Sequence, residues 1–355
     1  MQRTLQIGII GTGMMAHSHA IAFQRIPGIQ IVACCDVDRN RATEFAKVFG
    51  IPHVFSEFND LLLLPSLNAV SIVTSDAFHP EIAIAAAKRG IDILCEKPLA
   101  LSSEQASEMA EEAERAGIVA MVNLSYRRSA ALHAAKKLVD AGAIGQVRHV
   151  RAHYLQSWLV SNAWGDWKVG PQWLWRLSTG HGSLGVLGDI GVHLLDFATY
   201  PVGLIKDVQC RLSTFEKAEG NRIGPYTLDA NDSASISCTY ENGAMGVFQL
   251  SRWTTGHLNS VELAIHGDEG ALLINLDESY SQLHICQGKH IHKAKWTVRE
   301  YKAAPSVYES FVRAVRSKRN SEPTFRRGAL VQNMLEACVL SAESGLIQEV
   351  RHDFR

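Results

Sequence analysis

The chain has 355 residues, of which 46% are hydrophobic and 20% are charged, and its formal net charge is −1. This length exceeds one typical hydrophobic core and predicts two domains. The net charge is close to zero, and the sequence has neither a basic stripe nor an acidic tail. This argues against nucleic acid as a partner. No apolar run approaches the ~18 residues that span a bilayer, and none resembles a signal peptide, so we expect no membrane contact.

The sequence contains seven cysteines, an odd number, and no CxxC motif. A disulfide framework or a thiolate zinc site is therefore not expected, and a cytoplasmic location is predicted. The fifteen histidines include no HExxH motif. We predict no metal, because nicotinamide chemistry leaves no need for one.

Residues 1–123 alternate short apolar runs with helical segments. Strands that are buried on both faces have this apolar character, and their alternation with helices predicts a parallel, doubly wound sheet. The predicted strands cover 6–10, 30–36, 69–74, 91–96 and 118–123. The predicted helices end near residues 25, 49, 89, 117 and 141.

Beyond residue 145, long β-like runs dominate and few helices interleave. Many runs alternate polar with apolar residues, which indicates a sheet with one polar or partner-covered face, and we expect it to be mostly antiparallel. The predicted strands cover 146–156, 207–215, 234–240, 245–253, 261–267 and 271–276, with helices near 307–316 and 329–344. The predicted boundary lies near 123–129, giving an α/β domain of residues 1–125 and an α+β domain of residues 126–355, with packing of the C-terminal helices on either domain left open.

The segment GTGMMA, from Gly11 to Ala16, follows a predicted strand and opens a helix. This is the setting that a dinucleotide-binding fingerprint requires, since the first glycine allows the tight turn and the second lets a pyrophosphate approach. Ala16 replaces the third glycine, which is an allowed variant. The segment predicts a Rossmann domain.

Asp36 ends the second predicted strand, 25 residues after Gly11. A carboxylate there accepts hydrogen bonds from both hydroxyls of the adenosine ribose and repels the 2′-phosphate of NADP. NAD is therefore the predicted cofactor, although Arg39 lies close enough to permit some use of NADP. The alternative interpretation makes Asp36 a cap of a turn or helix.

The carboxyl ends of parallel strands share one edge of an open α/β sheet, and ligands bind outside that edge. Lys97 should emerge there, in a turn that Pro98 stiffens, and the peptide between them is a candidate for the cis form. The residues predicted to bind the cofactor are Gly11, Thr12, Gly13, Met14, Met15, Asp36, Thr74, Ser75, His79, Glu96 and Lys97.

Four segments together resemble the Gfo/Idh/MocA family, and the likeness covers nearly the whole chain. They are GTGMMAHSH, HPEIAIAAAKRGIDILCEKPLAL, AGAIGQVRHV and GSLGVLGDIGVHLLD. The resemblance implies an N-terminal Rossmann domain and a C-terminal domain with a large, mostly antiparallel open sheet. It also implies homodimers or homotetramers built on that sheet.

By matching position, the resemblance makes Lys97 the active-site lysine and makes Asp189 and His193 an acid–histidine pair. The residues themselves agree, because a carboxylate suits a first helical turn and i, i+4 spacing puts both side chains on one helix face. The alternative is an ordinary surface or capping pair. Asp196, one turn further on, is left out of the catalytic set.

The resemblance implies an NAD-dependent dehydrogenase that oxidises a secondary hydroxyl of a sugar or cyclitol, or reduces the matching ketone. His193 would take the hydroxyl proton while Lys97 stabilises the alkoxide, or the two would exchange these roles. The alternatives are an NAD-dependent, redox-neutral glycoside hydrolase and a non-catalytic sensor. The sensor is disfavoured because Lys97, Asp189 and His193 are all present.

Further residues are candidates for substrate binding. Tyr126 and Arg127 follow the last predicted Rossmann strand, and Arg127 is either a donor to substrate or a surface arginine. Five of the seven tryptophans lie within residues 158–175, where they either pack on a sugar ring or form a lid or subunit contact. The predicted substrate-binding residues are Lys97, Tyr126, Arg127, Trp175, Arg176, Asp189 and His193.

Overall fold

The computed structural model describes residues 4–352. The α-helices are α1 Met14–Gln24, α2 Arg39–Phe49, α3 Phe58–Leu62, α4 His79–Ala87, α5 Ser103–Arg115, α6 Ala130–Asp140, α7 Pro171–Leu174, α8 Val192–Thr199, α9 Val307–Ser317 and α10 Phe325–Ser344. The strands are β1 Leu5–Ile10, β2 Ile29–Cys35, β3 His53–Phe55, β4 Ala69–Ile72, β5 Asp92–Cys95, β6 Ala120–Val122, β7 Val147–Gln156, β8 Ile205–Ser213, β9 Arg222–Ile223, β10 Tyr226–Thr227, β11 Ser233–Tyr240, β12 Met245–Ser251, β13 Asn259–Gly267, β14 Gly270–Asn275, β15 Gln282–Gln287, β16 Thr297–Glu300 and β17 Gln348–Glu349.

The chain divides into two compact units. Among the described residues, the first unit holds 4–125 and 305–332, and the second holds 126–304 and 333–352. The predicted division gave all of 126–355 to the second domain, so the structure differs over 305–332.

The apolar face of α9 explains this difference. Val307, Phe311, Val312 and Val315 are buried in the same core cluster as the residues of β1 and α1. Ser306 begins the helix with a capping box, in which its hydroxyl accepts from the Glu309 amide. Helix α9 therefore completes the first hydrophobic core, although it lies far along the chain.

The first unit contains a six-stranded sheet in the order β3-β2-β1-β4-β5-β6. All of its strand pairs are parallel, as the apolar runs predicted. The prediction missed β3 and α3, because a three-residue strand at the sheet edge is too short to show a hydrophobic period. The order reverses beside β1, which puts the β1–α1 turn at the topological switch point.

The second unit contains a nine-stranded sheet in the order β16-β15-β14-β13-β7-β12-β11-β8-β17. Its described pairs are antiparallel, except that β7 and β12 run parallel. Along β11 and β12, buried residues alternate with more exposed ones. Helix α8 packs against β7 and β13. The mostly antiparallel open sheet is therefore confirmed.

Between residues 4 and 352, the structure has no helix long and apolar enough to cross a membrane.

Replacing Phe311 with alanine tests the assignment of α9 to the first core. Phe311 is fully buried, so Phe311→Ala should lower the free energy of unfolding by about 3–5 kcal/mol. Urea unfolding followed by circular dichroism measures this. The control is Val48→Ala on α2, whose 67% exposed side chain should change stability by under about 0.5 kcal/mol. A Phe311 effect as small as that of Val48 would contradict the assignment.

Candidate functional site

The turn between β1 and α1 leaves room for a ligand. Gly11 has φ +89°, and a Cβ there would lie 2.6 Å from Val73 O and 2.7 Å from Thr74 N. Only glycine fits this position. At Gly13, which precedes α1, a Cβ would meet nothing within 4 Å, and no side chain caps the helix. The start of α1 therefore has space beside Gly13 and no capping side chain, as phosphate binding requires.

Asp36 follows β2, and its carboxylate is held by neighbours on two sides. Its Oδ2 accepts from the amide and the hydroxyl of Thr12, both at 2.8 Å. Arg41 binds both oxygens, with Nε 3.0 Å from Oδ2 and Nη2 2.6 Å from Oδ1. Arg41, in the first turn of α2, is thus a cation beside Asp36 that the sequence did not single out. A role for Arg39 in NADP use stays a prediction.

These contacts keep Asp36 ionised. Burial raises the pKa of the carboxyl, but hydrogen bonds from Arg41, Thr12 and Asp38 lower it to about 2. Thr12 is buried and its hydrogen bonds orient the carboxylate, while its contact with the cofactor stays a prediction.

Other residues of the predicted cofactor set lie around the same edge. Met14 and Met15 are exposed beside the phosphate turn. Ser75 precedes a short 3₁₀ turn, Asp76–Phe78, after β4. His79 is buried, with Nδ1 3.0 Å from Pro98 O and Nε2 3.2 Å from Thr74 O, and burial lowers its pKa. His79 therefore joins two loops of this edge from the interior.

Lys97 lies at the same edge, after β5. The Glu96 amide donates to Ile72 O at 2.9 Å and continues the strand ladder to the start of the turn. The Glu96 carboxylate accepts from the Lys97 amide at 3.1 Å, and the Lys97–Pro98 peptide is cis. The turn that carries the lysine is therefore held by the residue immediately before it.

In the second unit, Asp189 lies in a π-helical turn, Leu187–Gly191, that runs into α8. The regular α-helical turn predicted around Asp189 is therefore replaced by a π turn, which closes i→i+5 hydrogen bonds. Such turns are frequent at functional sites. That Asp189 and His193 act as a pair stays a prediction.

An arginine that the sequence did not reveal holds Asp189. Arg252 follows β12, is fully buried, and donates from Nη2 to Asp189 Oδ2 at 2.9 Å. Its Nη1 donates to Arg176 O at 3.0 Å, and its guanidinium lies 5.1 Å from the Trp158 ring. Burial lowers the pKa of Arg252, while the Asp189 charge opposes that shift. The alternation along β12 puts Arg252 in phase with the buried Phe248 and Leu250, so the strand pattern could have indicated its burial but not its partner.

His193 is buried on α8 beside Tyr126. The two rings meet edge to face, with centroids 5.2 Å apart. The Tyr126 hydroxyl donates to Tyr154 Oη at 2.7 Å, and burial raises the pKa of Tyr126. The structure therefore brings together these two predicted site residues.

Arg127 is buried, so the surface alternative for this residue is wrong. Its Nε and Nη2 each donate to the Asp196 carboxylate at 2.6 Å, and its guanidinium lies 3.6 Å from the Tyr200 ring. Asp196 thus has a structural partner, as its omission from the catalytic set anticipated. These contacts lend no support to substrate binding by Arg127, which stays a prediction.

Trp175 and Arg176 lie near Asp189. The Arg176 guanidinium is 4.7 Å from the Trp175 ring, and its Nε is 3.9 Å from Asp189 Oδ2. Trp175 is 40% exposed. The other tryptophans of this segment belong to a small satellite core that includes Trp158, Trp164, Trp167 and Trp173.

Both units of the chain are similar to known protein families. Residues 5–124 match the oxidoreductase family with an NAD-binding Rossmann fold, and residues 132–273 match the GFO/IDH/MocA C-terminal domain. A levoglucosan dehydrogenase from Pseudarthrobacter phenanthrenivorans is 32% identical over 301 residues, which covers 78% of this chain and 74% of the relative. The chain belongs to the Gfo/Idh/MocA oxidoreductase family.

Other members of the family are similar over nearly the full length. The D-glucoside 3-dehydrogenase of Escherichia coli is 25% identical and covers 96% of both chains. A solved levoglucosan dehydrogenase in complex with NADH and L-sorbose has a TM-score of 0.86 at 28% identity, covering 99% of this chain and 100% of its own.

The residues of this family member fit NAD. The open start of α1 at Gly13 suits a pyrophosphate, and the ionised Asp36 is an acceptor for ribose hydroxyls. The chain is an NAD-binding oxidoreductase.

Replacing Asp36 with serine should shift cofactor preference towards NADPH. The change removes the ribose acceptor and releases the half-exposed Arg41 side chain to pair with a 2′-phosphate. We expect NADH affinity to fall and NADPH affinity to rise, each by about 10-fold or more. Fluorescence titration measures both dissociation constants. Adding Arg41→Ala should cancel the gain in NADPH affinity, and unchanged NADH binding by Asp36→Ser would contradict the role of Asp36.

The pKa of Glu96 predicts how stability depends on pH. Although burial raises this pKa, hydrogen bonds and charge from His19, together with Asn123 and Lys97, lower it from 4.5 to about 2. A depressed folded-state pKa stabilises the fold above the ordinary pKa, and this contribution is lost as pH falls towards 2. Glu96→Gln lacks this titration. The difference in Tm from wild type should therefore be largest above about pH 5 and narrow below pH 4.5, which thermal unfolding across pH measures.

Proposed function

We propose that this protein is an NAD-dependent dehydrogenase that oxidises a secondary hydroxyl of a sugar or cyclitol, or reduces the matching ketone. The observation that carries the proposal is the position of Lys97 directly after β5, at the edge where Gly11 and Asp36 follow β1 and β2. A cation there can act on the carbon that exchanges hydride with a bound nicotinamide. The names of the relatives support a sugar or cyclitol as substrate, since they include levoglucosan, glucoside and inositol dehydrogenases.

The proposed roles of the residues follow from their chemistry. When bound, NAD accepts the carbinol hydride. His193 takes the hydroxyl proton, and the ammonium of Lys97 stabilises the negative charge that develops on the oxygen. The reverse assignment, with Lys97 as the immediate base and His193 as the orienting group, uses the same residues.

Asp189 is proposed as the acidic member of this set. Arg252 fixes it through Oδ2, while 30% of its side chain is exposed. Because a buried guanidinium favours the ionised carboxylate, Asp189 supplies a negative charge that orients a donor group. The nearby Trp175 and Arg176 are proposed to contact the sugar, with the indole on a ring face and the guanidinium on hydroxyls.

The proposal extends to the setting of the protein. All seven cysteines are free and buried, which supports a reducing, cytoplasmic location. A homodimer or homotetramer built on the nine-stranded sheet stays a prediction.

A substrate panel tests the reaction class. Levoglucosan, methyl glucosides, inositols and free pyranoses with NAD should include at least one compound that yields NADH, followed by absorbance. Release of an aglycone from a glycoside without net NADH would instead identify a redox-neutral hydrolase. Cofactor binding without turnover of any kind would identify a sensor.

Replacing Lys97 with alanine should lower kcat at least about 100-fold while NADH affinity changes by less than about threefold, because the variant loses alkoxide stabilisation but keeps the phosphate turn and Asp36. His193→Gln should show the same division between turnover and binding. Steady-state kinetics with the best substrate and fluorescence titration measure the two effects. Near-wild-type turnover by Lys97→Ala would overturn the assignment.

A further inference from the structure

A cluster of buried polar side chains lies under the Lys97 turn in the first unit. We call it the Glu96 cluster, and its members are His19, Ser71, Glu96, Asn123 and Tyr308. They lie on α1, on β4, directly after β5 and β6, and on α9, yet the surrounding core is apolar. A polar cluster in such a place costs stability unless every group is satisfied, so its presence calls for a functional reason.

The Glu96 carboxylate is the centre of this cluster. Its Oε1 accepts from His19 Nε2 at 2.7 Å and from Asn123 Nδ2 at 2.6 Å. Its Oε2 accepts from the Lys97 amide at 3.1 Å. Three donors from three parts of the chain therefore converge on one carboxylate, and one of them belongs to the turn that carries the lysine.

His19 links this carboxylate to the dinucleotide-binding helix. It lies on α1, six residues after Gly13, and is fully buried. Its Nδ1 is 2.8 Å from Ser71 Oγ on β4, and its ring meets the Tyr308 ring edge to face at 4.9 Å. With both ring nitrogens engaged, the imidazole has one orientation available.

Asn123 provides the second support. It follows β6, and its backbone N–H donates to Cys95 O at 2.7 Å, which extends the ladder of hydrogen bonds beside β5. Its Nδ2 also donates to Tyr308 Oη at 3.1 Å. The carboxylate is thus held from α1 on one side and from β6 on the other.

We propose that His19 and Asn123 are positioning residues that act through Glu96: they hold its carboxylate against the Lys97 amide and so fix the lysine relative to α1. The proposal rests on the function proposed above, which assigns Lys97 to the reaction. Neither His19 nor Asn123 needs to touch substrate or cofactor. A displacement of the lysine by about 1 Å suffices to slow the reaction.

Two substitutions of His19 separate its two contacts. Glutamine places its amide nitrogen near the position of Nε2 and keeps the bond to Glu96, whereas asparagine reaches only the position of Nδ1 and keeps the bond to Ser71. The proposal predicts that His19→Gln retains kcat within about threefold and that His19→Asn lowers it about 10- to 100-fold. KM for NAD should change little in either variant.

Glu96→Gln removes the acceptor itself. Three donors face the carboxylate, but glutamine has only one acceptor oxygen, so the Lys97 amide or an interior donor loses its partner. We expect kcat to fall about 10- to 100-fold. Hydrogen exchange of the Lys97 amide in the NADH-saturated protein should accelerate at least about 10-fold in this variant and in His19→Asn.

The same strand offers a matched control. Asp92 begins β5, is fully buried, and accepts from the Val119 amide at 2.9 Å and from Lys318 Nζ at 2.8 Å. It lies four residues before Glu96, roughly 13 Å along a strand. Asp92→Asn should lower Tm as Glu96→Gln does, but should leave kcat and the exchange of the Lys97 amide within about threefold of wild type.

Equal kcat values for His19→Gln and His19→Asn would overturn the proposal, because the ring would then only fill space. A loss of kcat in Asp92→Asn as large as that in Glu96→Gln would also overturn it, since general destabilisation would explain both. The experiments distinguish a failure of this proposal from a failure of the proposed function. Lys97→Ala reports on the role of the lysine, and the exchange rates report on the cluster.

Discussion

The first unit depends on a buried carboxylate that stays ionised. A charge removed from water is tolerated only when hydrogen-bond donors surround it. For Glu96 these donors come from α1, from the residue after β6 and from the start of the Lys97 turn. Segments that are distant in sequence must therefore meet at one point, and that point is the edge of the sheet where the cofactor binds. The need of the Glu96 carboxylate for donors thus restricts how α1, the end of β6 and the Lys97 turn lie relative to one another.

The carboxylates of Glu96 and Asp36, both at this edge of the sheet, have different surroundings and therefore suit different roles. Glu96 is enclosed on all sides and acts on its neighbours. Asp36 is bound from the interior by Thr12, but from outside by the half-exposed Arg41, a partner that can leave. The Asp36 carboxylate therefore has a solvent-exposed side from which a ribose hydroxyl can approach, whereas the buried Glu96 carboxylate has none.

In the second unit, two arginine–carboxylate pairs hold the two aspartates of the GDIGVHLLD segment in different surroundings. Arg127 occupies both oxygens of Asp196, and both side chains are buried. Arg252 is equally buried, but its partner Asp189 remains 30% exposed in a π-helical turn. A buried arginine thus holds a partly exposed carboxylate in place, which is the arrangement that the role proposed for Asp189 needs.

The sequence by itself determined the parallel and antiparallel sheets, the glycine turn and the shared edge of the parallel strand ends, because hydrophobic period and glycine spacing are local properties. Only the tertiary structure decided which cations meet Asp36 and Asp189, that α9 joins the first core, and that His19 lies under the lysine turn. These contacts join residues between five and more than 280 positions apart, and no local pattern specifies them. His19 ends the segment GTGMMAHSH and Arg252 is in phase with the buried residues of β12. The sequence did not name their partners, because the folded chain alone brings those side chains together.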